Sequence, residues 1–352
     1  MTNTLQSLEQ HLADWRASGG REDAATAVAA LASGACELAR AIATAPLFVE
    51  IETQGAADDA KVAGGAQRRL LDKQAGSIFR STLASAPVAV YGDKSSENAE
   101  TINAGRPLAV AMNAFYGSSQ IDTNLTAGSI FTIFPVPVSG TGSNDTALLQ
   151  PGRDQLAAGF FIFGPQTALV LTLRAGTHIF TLDPRDGVFY VSRANVRVSE
   201  WHNEYAINAS NHRYWPRAVR DYIDDLMAGK EGPRGKDFNM RWMASMVADA
   251  YRILTRGGIY LYPRDSRSGY ENGLLKLVYE ANPMALVFEE AGGAATDGVN
   301  RILDLVPTGL HQRTPLIFGS ADKVKRVARY YNDAPSREQS SPLFNVRGLF
   351  RV

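Results

Sequence analysis

Leu156-Ala-Ala-Gly-Phe-Phe-Ile-Phe-Gly-Pro-Gln-Thr-Ala-Leu-Val-Leu-Thr-Leu173 is the stretch on which the fold turns. It runs 18 residues without a charge, so by length alone it has to be weighed as a membrane span. Gly164-Pro165-Gln166 decides against that. The trio splits the stretch into Ala158–Phe163 and Ala168–Leu173, two runs of strand type bounded by a turn signal. The sequence therefore predicts two strands of a sheet and no entry into a membrane.

Working outward, short apolar runs of the same kind occur at Val88–Tyr91, Leu108–Met112, Ile130–Phe134, His178–Leu182 and Val188–Val191. Asp183-Pro-Arg-Asp-Gly187 is a strong hairpin turn, which makes the sheet rich in antiparallel pairs. Helices are predicted ahead of it at 5–17, 23–45 and 66–84, the second from the Ala-rich run Ala24–Ala45. After about residue 200 the pattern becomes an alternation. Helices at 216–228, 240–255, 281–291 and 321–332 interleave with strands at 258–262, 274–279 and 315–318, the signature of a parallel or mixed sheet with helical cover. The reading divides the chain into 1–199, helices plus an antiparallel-rich sheet, and 200–352, an α/β half. There is no internal repeat, and the tail 333–352 lacks clear periodicity.

Composition sets the outer bounds. A chain of 352 residues with 36 Lys+Arg and 36 Asp+Glu is long enough for a large core and carries no net charge to attract nucleic acid. Its single cysteine, Cys36, excludes an internal disulfide framework and a cysteine metal cage, and it is expected to be inert packing. Met1–Trp15 carries Glu9 and Asp14 with no apolar run, unlike a signal peptide, so a cytoplasmic site is expected.

Six segments carry a family resemblance: Tyr116-Gly-Ser-Ser-Gln-Ile-Asp122 with Gly128-Ser-Ile-Phe131; Leu149-Gln-Pro-Gly152; Ala206-Ile-Asn208; Arg241-Trp-Met-Ala-Ser-Met-Val-Ala-Asp249; Gly257-Gly-Ile-Tyr-Leu-Tyr-Pro263; and Tyr279-Glu-Ala-Asn-Pro-Met-Ala285. Gly292-Gly293, Asp297-Gly298, Arg301–Asp304, Leu310–Arg313 and the closing Pro342–Phe350 extend it. In order and spacing the chain resembles the class I fructose-1,6-bisphosphatases. The resemblance implies an α/β fold, the layered αβαβα sugar-phosphatase arrangement, a phosphorylated sugar or related small anion as ligand, and a homo-oligomer, a tetramer in the family.

Phosphoryl transfer of this kind relies on positioning and on charge neutralisation by magnesium held among acids. The family's Asp-Pro-Leu-Asp-Gly-Ser-Ser becomes Asn113-Ala-Phe-Tyr116-Gly117-Ser118-Ser119, which loses both aspartates. Its Ser-Glu-Glu aligns with Asp93-Lys94-Ser95, and its water-activating helix Asp aligns with Leu71, next to Asp72. One residue along a helix turns a side chain by roughly 100°, so adjacency is not equivalence. Of the metal-ligand acids only Glu280 is kept. No metal and no cofactor are expected, unless Asp93, Glu97 or Asp72 rebuild a site with Glu280.

Gly117-Ser118-Ser119, by resemblance, offers backbone N–H groups to one phosphate at a helix start. At the far end of the sugar Asn208, Arg241 and Tyr262 match contacts to a second phosphate, with Arg241 reaching in from a neighbouring subunit. Trp242 replaces a Tyr there and Leu274 replaces a Lys. Met246 matches a sugar contact and equally suits helix core packing. Lys94 and Tyr116 stand where acids stood: a desolvated Lys can act as a base or Schiff-base former, and Tyr can donate to an oxyanion. His202 and His212, ten apart with no other ligand pattern, are weak metal candidates.

Three functions remain open on the sequence. The first is a metal-independent sugar-phosphate enzyme working through Glu280, Tyr116 and Lys94. The second is a catalytically silent regulatory paralogue, and the third a residual bisphosphatase with a rebuilt metal site.

Overall fold

The computed structural model describes residues 5–47, 60–137 and 144–338, with the helical backbone alone at 60–69 and 333–338. The segment Pro342–Phe350 lies outside them. Three helices open the chain: α1 (Leu8–Ala17), α2 (Glu22–Thr44) and α3 (Ala60–Ala84). Helix α1 starts later than the sequence predicts because Ser7 is its cap, accepting from Gln10 N–H while the Gln10 side chain accepts from Ser7 N–H. That reciprocal pair is a capping box. By length and composition Glu22–Leu47 could cross a membrane. Its apolar stripe, Val28, Leu31 and Leu38, is instead fully buried against the rest of the chain.

An eight-stranded sheet follows, from β1 (Val88–Asp93), β2 (Glu100–Thr101), β3 (Leu108–Tyr116), β4 (Ala127–Pro135), β5 (Ala157–Phe163), β6 (Thr167–Thr172), β7 (Thr177–Asp183) and β8 (Val188–Arg193). Its order is β2-β1-β3-β4-β5-β6-β7-β8, antiparallel throughout except that β1 and β3 run parallel. The stretch that opened the sequence reading is the β5–β6 hairpin, paired from Ala158↔Thr172 to Phe163↔Thr167. Both faces of this sheet are covered. Phe131, Phe161, Leu169 and Phe180 point toward α1–α3, whereas Ile130, Phe160, Val170 and Ile179 point the other way. This period-two alternation of apolar residues on both faces is why the runs read as continuously hydrophobic.

The second half supplies α4 (Arg217–Met227), α5 (Met246–Arg256), α6 (Asn282–Glu290) and α7 (Ala321–Glu338). Its strands are β9 (Glu204–Ala206), β10 (Asn239–Met240), β11 (Ile259–Tyr262), β12 (Leu275–Lys276), β13 (Ala294–Thr296), β14 (Arg313–Thr314) and β15 (Leu316–Gly319). Five of them form a mixed sheet, β10-β9-β11-β15-β13, while β12 and β14 make a separate two-stranded ribbon. Helices α5 and α6 lie between the two sheets in one shared core with Phe160, Tyr260 and Phe318. Helices α4 and α7 cover the outer face around Tyr222, Ile317 and Val327. Helix, sheet, helix, sheet, helix is the αβαβα layering that the family resemblance implied.

Two predicted elements of the second half differ most from the sequence reading. The helix predicted at 240–255 begins only at Met246, because Asn239 and Arg241 donate N–H groups to Asn203 and Tyr205 at the sheet edge, and Ala244 turns the chain at φ 56°. The strand predicted at 274–279 is two residues long, and Leu277–Ala281 winds as a π-helix into α6. Pro283, just inside α6, has no N–H for the Tyr279 carbonyl four residues back. A missing bond of this kind accounts for the widened turn.

Candidate functional site

Strands β1 and β3 are parallel, and β1 ends at Asp93, opposite Met112, while β3 runs on to Tyr116. Lys94 N–H continues the ladder to Met112 C=O at 2.8 Å, which sets the Lys94 side chain next to Asn113. The π-helix brings Glu280 to the same point, and widened helical turns recur at functional sites. The Glu280 side chain is 1% exposed. Its Oε1 accepts from Lys94 Nζ at 2.6 Å and from Asn113 Nδ2 at 3.0 Å, and its Oε2 accepts from Lys276 N–H at 2.7 Å. A buried carboxylate is tolerated when paired and hydrogen-bonded in this way.

These groups face a cavity of about 370 Å³. Tyr116 lines it with its ring centroid 5.9 Å from Lys94 Nζ, within cation–π range. Burial, and then the Glu280 charge, push the Tyr116 phenol well above its ordinary range, against a hydrogen bond from Met246 N–H. It stays protonated and offers a hydrogen bond rather than a proton. Gly117, at φ 82°, makes the turn after β3 that L side chains rarely adopt. Ser118–Thr123 then forms a 3-10 helix. Its first internal bond runs from Gln120 N–H to Gly117 C=O, so the Ser118 and Ser119 N–H groups precede the ladder, and both residues line the cavity. The helix is shorter than the family's helix start suggests, and its dipole is correspondingly small.

The remaining sequence candidates separate into two groups. Tyr262 and Leu274 line the same cavity, and Tyr262 is held up in pKa chiefly by burial. Asn208, Arg241, Trp242 and Met246 are not among its lining residues. The Asn208 side chain accepts from Ser210 N–H and caps the turn that follows. Arg241, with half its side chain exposed, lies 3.7 Å from Glu204, which is bonded to Arg252. Trp242 stacks on Tyr260, centroids 5.7 Å apart. The Met246 side chain is in the core, so of the two readings of that residue its packing is what the coordinates display. His202 and His212 pair separately, with Glu204 at 3.5 Å and Asp224 at 2.9 Å. Cys36 is half-buried with its Sγ near Gly187 C=O, and burial raises its thiol pKa.

The acids at this end of β1 and at the π-helix are engaged by groups of the chain itself. Among the described residues no three His, Cys, Asp or Glu side chains gather as a metal cluster. Asp93 spends its oxygens on Tyr91 O–H and on Ser95 N–H and O–H. Glu280 is already occupied by an ammonium. What the arrangement can do is receive an oxyanion: Lys94 has three donors and gives one to Glu280, and Ser118 and Ser119 line the same cavity.

Sequence reasoning missed Asn113 as a donor to Glu280, Lys276 as its backbone partner, and Gln120, which reaches across to Ala244 C=O at 2.6 Å. Asn113 could have been found, since an amide keeps the size of an aspartate and reverses its hydrogen-bonding role. Nothing in the sequence marks the other two.

Comparison with known proteins completes the description. The family "Fructose-1-6-bisphosphatase, N-terminal domain" matches residues 9–194, and "Fructose-1-6-bisphosphatase, C-terminal domain" matches 198–332. The chain is 53% identical over 274 residues to a fructose-1,6-bisphosphatase class 1 of Sinorhizobium medicae, covering 78% of each chain. It is 46% identical to that of Rhizobium meliloti over 98% of this chain and 99% of the other. In structure it is similar to the holo form of Leishmania major fructose-1,6-bisphosphatase, with TM-score 0.82 and 29% identity over 94% of this chain and 100% of that one.

Proposed function

The chain belongs to the class 1 fructose-1,6-bisphosphatase family, and on that premise we propose that it binds a phosphorylated sugar in the Lys94–Glu280 pocket and transforms it without magnesium. One observation carries this reading. The Lys94 ammonium lies 2.6 Å from Glu280, so the pocket supplies its own positive charge where the family resemblance places metal ions. The ligand's phosphate would sit on the Ser118 and Ser119 N–H groups and the free donors of Lys94.

The chemistry that suits these groups is proton transfer: isomerisation, epimerisation or carbon–carbon cleavage of a sugar phosphate. An anionic group on the ligand competes for Lys94, which releases Glu280 Oε1 to take a proton from carbon. Lys94 and the Tyr116 hydroxyl then face the oxyanion that develops, a role electrostatic stabilisation fills well in a dry site. The test is proton exchange with solvent. A panel of aldose and ketose phosphates incubated in D2O with EDTA should show deuterium uptake at carbon, lost in Glu280→Gln.

A second reading is a catalytically silent sugar-phosphate-binding or regulatory protein. It is favoured by the same ion pair, because Lys94 and Glu280 saturate one another. Binding without deuterium uptake across the panel would select it. In either reading the protein is proposed to be a cytoplasmic homo-oligomer, a tetramer by its family, with Arg241 completing a neighbour's site. Light scattering at micromolar concentration should then exceed the monomer mass of 38.1 kDa.

A further inference from the structure

A second concavity lies beside the Lys94 pocket, a groove of about 1080 Å³ at the β12–β14 ribbon. The ribbon contributes to both: Leu275 lines the smaller pocket, and its register partner Thr314, with Arg313, lines the groove. Typical small-molecule sites span ~300–1,000 Å³, so the groove has the volume for a metabolite.

Its charges are unevenly engaged. Asp297 accepts from Val299 N–H, Asn300 N–H and Asn300 Nδ2 at 2.8, 2.6 and 3.1 Å, so its negative charge is turned toward its own loop. Glu271 is the other acid on the wall. Arg313 gives one N–H to Gly269 C=O at 2.6 Å and keeps four donors, and Arg264 lines the groove on an exposed loop. Lys276, which pairs in register with Arg313, has its pKa lowered by burial and then by Arg313 and Lys94, with Glu280 pulling the other way. Leu305, Leu310 and Pro315 supply apolar lining, and the Tyr331 hydroxyl, whose ring also lines the groove, is buried without a partner among the described residues.

We propose that this groove is a second ligand site, distinct from the Lys94 pocket, that takes a small organic anion: an oxyanion head on Arg264 and Arg313, an apolar body against Leu305, Leu310 and Pro315. A guanidinium fork matches phosphate and carboxylate alike, so the head group is one of these two. The ligand would also press on the neighbouring site. Arg313 is paired with Lys276, whose N–H holds Glu280 Oε2, and Gln312 C=O accepts from Leu277 N–H at 2.9 Å. A site that engages this ribbon is placed to regulate whatever Glu280 does.

The proposal stands apart from the proposed function, because it needs neither catalysis nor sugar binding. The test is calorimetric titration of full-length protein in EDTA with phenyl phosphate and, separately, benzoate. At least one should bind, and Arg313→Gln or Arg264→Gln should weaken it roughly tenfold or more, the ordinary cost of a lost charged hydrogen bond. Both arginines are exposed, so the variants should fold, which circular dichroism checks. The arginine-sensitive part of the binding should persist in Lys94→Gln, which removes a donor only from the smaller pocket. Absence of binding by both probes, equal binding by the arginine variants, or loss in Lys94→Gln alone would overturn the proposal, the last by placing the probe in the smaller pocket. If phenyl phosphate binds and benzoate does not, the head is a phosphate; the reverse names a carboxylate.

Discussion

Lys94 Nζ and Glu280 Oε1 are 2.6 Å apart, although 186 residues separate them in sequence and the carboxylate side is almost wholly buried. A third of the Lys94 side chain is exposed, so its charge is partly paid for by water while that of Glu280 is not. Removing the ammonium should therefore cost more than removing both charges. Lys94→Met is expected to lower stability by about 1–3 kcal/mol, since Asn113 and Lys276 still donate to Glu280. Lys94→Met with Glu280→Gln should recover part of that. Urea unfolding of the single and double variants measures it, and a single variant as stable as the parent would mean the pair contributes nothing.

Divalent metal gives the second prediction. Millimolar magnesium should leave the melting temperature unchanged, and hydrolysis of fructose 1,6-bisphosphate should stay far below ordinary turnovers of about 1–10³ s⁻¹. Restoring the family's acids in one variant, Lys94→Glu with Asn113→Asp and Tyr116→Asp, should create a magnesium site beside Glu280. Magnesium at ten times its dissociation constant would then stabilise the variant by about 1.4 kcal/mol. Ordinary turnover by the parent protein would defeat the metal-free reading and revive the residual bisphosphatase.

A histidine pair far from the pocket sets an acid response. His11 of α1 packs against His178 of β7, rings tilted at 55° with centroids 4.5 Å apart, and lies against Phe180. Burial, then the neighbouring His178, lower the His11 pKa from 6.5 to about 4, with Asp14 pulling the other way. The folded pKa is below the unfolded one. Between about pH 6.5 and 4 the unfolded chain therefore holds the proton that the folded chain lacks, so stability falls as pH falls through that window. With partial exposure discounted, the loss should reach about 1–2 kcal/mol. His11→Phe should flatten the curve there, leaving the smaller slope from His178, whose pKa burial also lowers. Parallel unfolding curves for parent and variant from pH 7 to 4 would rule the histidine out.

The strands were legible because Phe160 and Phe161, adjacent in sequence, serve two different cores, and only an extended chain between two apolar layers reads that way. The elements that misread are those where a single bond overrides periodicity. Apolar spacing carried the α5 prediction back to residue 240, but the sheet edge claimed Asn239 and Arg241 first. Within the site, the family resemblance implied that carboxylates at 113 and 116 are replaced and set Lys94 near Glu280. The geometry of that contact was not legible, because it depends on the parallel pairing of β1 with β3 and on the widened turn before Pro283. Of the residues matched to the sugar's far end, Asn208 caps its own turn, Arg241 lies near Glu204, and Trp242 packs on Tyr260 and beside Tyr262 of the pocket lining.

The last prediction concerns the turn after β3. Phosphate should bind metal-free protein in EDTA, because backbone donors and an ammonium remain when carboxylates are removed. Losing two aspartates helps, since Asn113 and Tyr116 do not repel an anion. Hydrogen exchange reads this directly: the amides of Ser118 and Ser119, outside the helical ladder, should exchange fast in free protein and slow on titration with phosphate. Proline is the wrong probe at Gly117, where φ is 82°, because its ring fixes φ near −65°. Gly117→Ala is gentler. Its Cβ would meet Thr126 C=O at 3.4 Å, and the strained φ costs about 1 kcal/mol, enough to tilt the donors while the sheet beside them persists. Weaker binding with the fold intact is expected for Gly117→Ala, and for Lys94→Gln as well. If phosphate protects no amide in the parent protein, the turn is an inherited connection between β3 and β4, and the sugar-phosphate reading loses the cradle on which it rests.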